Sequence, residues 1–189
     1  MKNKLITEYS ESQLQGLNLE TRLKISESEE VALAKNLLRG ALEAVYKSCN
    51  IVALNSVWEC YFDDFEDVLK LYPANVTEIV SVKYKDINGT QQTLSTADYQ
   101  QDLVSRPARI IVNQNSVFPA TDESTNNVVI QFRAGYSSFD TMPEMLKVAI
   151  YMIVGHWYEN RQDVVVGRTI SQMPLASEYI LEKYRVKEL

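Results

Sequence analysis

The chain holds 189 residues, 46% of them hydrophobic and 23% charged, which excludes a disordered tail and suits one modest globular domain or a compact core with an appended subdomain. At this length folding buries roughly two-thirds of the unfolded surface, so the core needs neither disulfides nor metal. Nineteen Lys and Arg against twenty-five Asp and Glu give a net charge of −6, the wrong sign for gripping a phosphate backbone over a broad surface.

Met1 to Tyr9 lacks the apolar run of a signal peptide, so the chain is expected to be cytosolic when made. A short helix is expected from about Ser12 to Lys24, with Leu14, Leu17 and Leu23 inward. Ser26, Glu27, Ser28 and Glu29 have the Ser-x-x-Glu form of a capping box. Behind it Val31, Ala34, Leu37, Leu38, Ala41, Leu42, Val45 and Tyr46 recur at three- and four-residue steps, which predicts one long amphipathic helix. Asn50 offers a left-handed cap at its end.

Val57 to Phe62, VWECYF, suits a strand, and the charged loop after it ends at Leu71, Tyr72 and Pro73. Ile79 to Tyr84 alternates as a half-buried strand does. Asp86-Ile87-Asn88-Gly89 supplies a hairpin turn, and Gln91 to Leu94 returns antiparallel. Arg109 to Asn113 and Val128 to Arg133 add two strands. Thr141-Met142-Pro143-Glu144 starts another helix with Pro in its first turn, and Leu146, Ala149, Ile150, Ile153 and Trp157 form its apolar stripe, widened by Met145, Met152 and Tyr158. Val164, Val165, Val166 and Gly167 break that pattern, and Pro174 to Tyr184 predicts a last short helix ending in a basic turn. The longest apolar run, Val148 to Trp157, is about half of the ~20 residues that a membrane span needs, so no membrane contact is expected.

The expected fold class is therefore α+β: mainly an α-helical bundle with a small antiparallel β subdomain inserted between its N-terminal and C-terminal helices. Residues 1–56 hold the N-terminal helices, 57–137 the β-rich insertion, 138–163 the core C-terminal helix and 164–189 a C-terminal segment, all within one structural domain.

Residues suited to chemistry are sparse. Cys49 and Cys60 lack the paired spacing of a zinc site and are expected as buried thiols. The single histidine, His156, forms His-x-x-Glu with Glu159, but a metal centre needs three or four ligands. The six glycines never crowd into a phosphate loop, no serine lies in a Gly-x-Ser-x-Gly elbow, and Asp63, Asp64, Glu66 and Asp67 lack EF-hand spacing. No catalytic residue, metal or cofactor is expected. Eleven Tyr, five Phe and two Trp are the more informative excess, with Trp157 and Tyr158 running into Glu159, Asn160 and Arg161. Such a cluster suits packing against a neighbouring subunit, and equally a core helix with a polar end.

Ala134-Gly135-Tyr136, Met142-Pro143, Leu146, Lys147, Ala149, Ile150 and above all His156-Trp157-Tyr158-Glu159-Asn160-Arg161, followed by Val165-Val166-Gly167 and Leu181-Glu182-Lys183-Tyr184-Arg185, resemble the tailed-phage head–tail connector proteins, also called adaptor or head-completion proteins. The resemblance covers most of the chain. Ser48-Cys49-Asn50, the leader through Tyr9 and the loop from Asp63 to Tyr72 depart from the family pattern.

The resemblance implies a structural, non-enzymatic virion protein of the neck, made in the host cytoplasm. Copies would form a homo-oligomeric ring, a dodecamer in the virion, beneath the portal protein. The ring would extend the channel, let DNA pass without specific binding, and receive a stopper or tail-completion protein. Residues 164–189 would dock on the portal, and a chain cut at about Arg168 would stay folded and lose it. The implied interface residues are Trp157, Tyr158, Glu159, Asn160, Arg161, Arg168, Tyr184 and Arg185. A head-to-tail ring needs two different faces on each subunit, and the long helix and the Pro143 to Arg161 helix are the expected pair. An acidic channel lining would repel phosphates. The alternative is a prophage- or bacterially encoded interaction domain outside the virion, sharing the fold but not the ring.

Overall fold

The structure is a computed structural model that describes residues 2–113, 116–122, 124–160 and 173–187. The chain divides into two compact units, Met1–Glu8 with Asn55–Gly135 and Tyr9–Leu54 with Tyr136–Leu189. Helix and strand hold nearly equal shares, 32% and 29%, so the α+β class stands while a mainly helical bundle does not.

The first unit holds every strand among the described residues: β1 (Lys2–Thr7), β2 (Ser56–Phe62), β3 (Val68–Leu71), β4 (Val76–Lys85), β5 (Gln91–Thr93), β6 (Tyr99–Asp102), β7 (Ala108–Val112) and β8 (Val128–Ala134). Among the described residues they form two antiparallel sheets, one of five strands ordered β1-β2-β8-β4-β5 and one of three ordered β3-β7-β6. The central strand β8 shows why the sheet holds. Val128, Ile130, Phe132 and Ala134 are fully buried, while Val129, Gln131 and Arg133 point to the opposite face. On β2, Trp58 lies opposite Phe132 and Cys60 opposite Ile130, so the inward sets of the two strands coincide. Burying a side chain the size of Phe132 contributes about 1.5–3 kcal/mol.

The β4–β5 hairpin forms where its turn residues predict it. Asp86 Oδ1 accepts the N–H groups of Asn88 at 2.9 Å and Thr90 at 3.0 Å, and the positive φ falls on Gly89 (+74°). Strands β1, β3 and β6 are additions to the sequence reading. β1 is almost wholly exposed, β3 hides in the charged loop, and β6 is a polar edge with one buried residue, Tyr99. β1 and β6 carry no apolar alternation, and the alternation of β3 is only four residues long.

The second unit holds α1 (Glu11–Gln15), α2 (Leu19–Leu23), α3 (Ser28–Cys49), α4 (Glu144–Glu159) and α5 (Leu175–Glu182). The single helix expected over Ser12 to Lys24 is two, because Asn18 takes a left-handed conformation (φ 47°) between them. Leu14, Leu17 and Leu19 are buried, and Leu23 is half-exposed. The capping box belongs to Ser10 and Gln13: the Ser10 hydroxyl accepts the Gln13 N–H, and Gln13 Oε1 accepts the Ser10 N–H at 2.8 Å. Ser26 caps nothing, since α3 starts at Ser28 with Glu27 as its N-cap. That helix buries Ala34, Leu38, Ala41, Leu42, Val45 and Cys49. It stops at Asn50, whose φ of 55° and N–H bond to Tyr46 O provide the expected cap.

In α4 the buried residues are Leu146, Ala149, Ile150, Ile153 and Val154, with Pro143 as N-cap rather than in the first turn. Met145 and Met152 do not widen this stripe: they are exposed, and Val154 takes that place. Helix α5 is a core element, with Ser177, Ile180 and Leu181 buried. Cys49 Sγ donates to Leu181 O at 3.1 Å, Val186 N–H donates to Cys49 O at 2.9 Å, and Asn50 Nδ2 donates to Val186 O at 3.0 Å. The end of α3 and the chain through Val186 therefore form one packed unit. A cut at Arg168 would remove buried surface and three hydrogen-bond partners of α3, so the expectation that it leaves a folded chain is withdrawn.

Candidate interaction surface

The last turn of α4 gathers four of the eight interface residues implied by the resemblance. Trp157 is half-buried and its indole rim reaches Gly40 of α3, where an added Cβ would lie 3.3 Å from Cζ3. Tyr158 is half-buried and Glu159 exposed. Asn160 closes the helix: its N–H and its Nδ2 both donate to His156 O, at 3.0 and 2.8 Å. Nδ2 also lies 3.2 Å from His156 Nδ1. His156 thus lies in the last turn of the helix. Among the described residues no group of three or more His, Cys, Asp or Glu is placed to hold a metal ion.

Arg161 and Arg168, together with Val164 to Gly167, lie outside the described residues. Tyr184 is half-buried and its N–H bonds Leu181 O, while Arg185 is exposed beside Cys49. Burial pushes the Cys49 thiol up to about 11, and the nearby Arg185 charge offsets part of this. Arg185 also borders an open cleft of about 450 Å³ lined by Ser48, Leu175, Glu178, Tyr179 and Leu181.

Two exposed apolar stripes escaped the sequence reading. On α4, Met145, Val148 and Met152 are 53%, 42% and 37% exposed at a three- and four-residue spacing. On α5, Leu175 and Tyr179 are 83% and 64% exposed, with the Lys183 ammonium 4.9 Å from the Tyr179 ring centre. Periodicity marks such residues as apolar but does not say which side of a doubly apolar helix faces in. Tyr151, between the α4 stripe and the core, is tied down: its hydroxyl donates to Leu17 O at 3.3 Å and the Arg22 guanidinium lies 3.8 Å from its ring centre.

These surfaces lie in or beside a recognisable stretch of sequence. Residues 117–185, which contain α4 and α5, match the family model of the phage gp6-like head-tail connector proteins. The whole chain also shares its fold with chains in gene transfer agent particles. A chain of the empty-particle neck, computed with C6 symmetry, superposes with a TM-score of 0.80 at 18% identity, covering 100% of this chain and 97% of that one. A chain of the native-particle neck, computed with C12 symmetry, gives 0.78 at 17% identity over the same shares. One in the native virion gives 0.77 at 16% identity, again over 100% and 97%. At these identities the likeness establishes the fold, and both units of the chain are within it. No curated protein sequence matches the chain.

Proposed function

We propose that the protein is a structural component of a virion neck, a head–tail connector that forms a ring beneath the portal protein, extends the DNA channel and receives the stopper or tail-completion protein. The carrying observation is the connector-family match over residues 117–185, on a chain whose full length has the fold of a neck protein. A structural role without an active site fits the polar chemistry at α4: the one histidine is engaged in closing a helix.

Ring contacts between copies are head-to-tail, joining two unlike faces. The α4 face, with exposed Met145, Val148 and Met152 leading to Trp157, Tyr158, Glu159, Asn160 and Arg161, is one; the outward side of α3 is the other. Portal docking uses the surface of the C-terminal segment, where Tyr184 and Arg185 sit beside exposed Leu175 and Tyr179, with Arg168 upstream in the chain. Because α5 is a core element, point substitutions test this where a truncation would not. Leu175→Glu with Tyr179→Glu should abolish capture by the portal protein in a pull-down while leaving the melting temperature within a few degrees, since exposed substitutions typically change stability by less than about 0.5 kcal/mol. Undiminished capture would remove this surface from the docking site.

A further inference from the structure

The five-stranded sheet buries one face in the core of the first unit and exposes the other. Its register places the side chains of that other face in rows, half-buried at the centre and exposed towards the edges: Lys2, Tyr61, Val129, Lys83 and Thr93 form one, and Lys4, Glu59, Gln131 and Ser81 the next. Val57, Arg133 and Glu78 form a third, and Lys85 stands beside Gln91 at the far end. Neighbouring strands lie about 4.8 Å apart and alternate residues about 7 Å apart, so the Lys2–Lys4 and Lys83–Lys85 pairs flank a platform about 14 Å wide.

The carboxylates on this face are already engaged. Glu59 accepts Gln131 Nε2 at 3.2 Å and the Tyr61 hydroxyl at 2.5 Å, and the Tyr61 bond pushes that phenol up to about 12. Glu78 pairs with Arg133 at 3.2 Å. Lys2, Lys4, Lys83 and Lys85 are exposed and have no ion-pair partner among the described residues. Five cations against two carboxylates leave the face with three positive charges, so the remainder of a chain of net charge −6 carries nine negative ones.

Part of that excess is displayed on the same unit. In the loop after β2, Asp63 and Asp64 shape the backbone: Asp63 Oδ1 accepts the Asn126 N–H, and Asp64 Oδ1 accepts the Phe65 N–H and the Thr121 hydroxyl. Stacking of Phe65 on Phe118, 4.5 Å between ring centres, anchors the loop further. Glu66 and Asp67 are left exposed, without a hydrogen bond or ion pair among the described residues.

We propose that the lysine-bearing sheet face is the seat of a second copy of this chain, which presents Glu66 and Asp67 to it. A duplex nucleic acid is the poorer fit, because a polyanion that comes close enough to bind also meets a chain whose net charge is −6. A second copy instead offers two carboxylates on a loop that is already shaped, and their pairing relieves the charge imbalance of both surfaces. The two surfaces differ and every copy has both, so the contact is head-to-tail and propagates around a ring. This rests on the ring reading above and adds a contact to it.

Sedimentation velocity of the full chain across a salt series tests the inference, using wild type, K83E/K85E, E66K/D67K and the protein carrying all four changes. Wild type should self-associate at low salt and dissociate as salt rises. Each double variant should lose about tenfold or more in association constant, and the combined variant should regain it. All four sites are exposed, and unchanged circular dichroism and melting would show that the fold survives. Equal association in all four proteins, salt-insensitive association, or none at the highest soluble concentration would overturn the inference. Rings that form on the portal but ignore both reversals would overturn it while leaving the connector reading intact; no ring at all would overturn both.

Discussion

Replacing Gly40 by alanine tests how α3 and α4 are joined. Glycine in mid-helix costs about 1 kcal/mol relative to alanine. Against that gain, an alanine Cβ would sit 3.3 Å from Trp157 Cζ3, a few tenths of an ångström inside the ~3.5–4.0 Å optimum for carbon–carbon contact. Cζ3 is at the rim of the indole and Trp157 is half-buried, so a small tilt of the ring relieves the contact. The propensity gain should therefore prevail, stabilising the protein by up to about 1 kcal/mol and raising Tm by about 2–4 °C at this chain length. Leucine at the same position must displace the indole and should destabilise by about 1–3 kcal/mol. In a Trp157→Ala background that penalty should vanish, giving a coupling energy of about 1 kcal/mol or more in a double-mutant cycle read from urea unfolding. A lower Tm for Gly40→Ala, or additivity within about 0.5 kcal/mol for the leucine cycle, would refute the packing argument.

Three further outcomes follow from local structure. Ser10→Ala removes a capping box and should cost about 0.5–2 kcal/mol in chemical denaturation, whereas Ser26→Ala, at a residue that caps nothing, should be nearly silent. Gly89→Ala should cost about 1 kcal/mol although no atom lies within 4 Å of the added carbon, because φ there is +74°; Gly89→Asn should recover part of it. Burial pushes the Cys49 and Cys60 thiols up to about 11 and 12 from an ordinary value of 9.0, so neither should react with iodoacetamide at pH 8 until the protein unfolds. Above pH 9 the unfolded chain releases these protons before the folded one does, so stability measured by urea titration should fall as pH rises and be insensitive to these groups below pH 9.

Strongly periodic elements could be read from the sequence and weak edges could not. The α3 pattern, the Asn50 stop, the β2 and β8 runs and the Asp86 to Gly89 turn each carry a local signal that agrees with the packed structure. Strands β1, β3 and β6 exist because a neighbouring strand offers hydrogen bonds, information that lies far along the chain: β1 pairs with β2 some 50 residues away. The near-equal shares of sheet and helix have the same origin. The interface residues show a different limit. Trp157 and Asn160 were singled out by type, but only the packed structure shows that one rests on Gly40 and the other closes its own helix. Met145 and Met152 read as core because α4 is apolar around most of its circumference, and the side left uncovered, which also carries Val148, is set by its neighbours.

Mass photometry of the purified chain, alone and mixed with a portal protein from the same source, tests the connector account most directly. The account predicts a closed ring, or capture of multiple copies when portal is present. A chain that stays monomeric and indifferent to portal would contradict it and return the protein to a free-standing interaction domain.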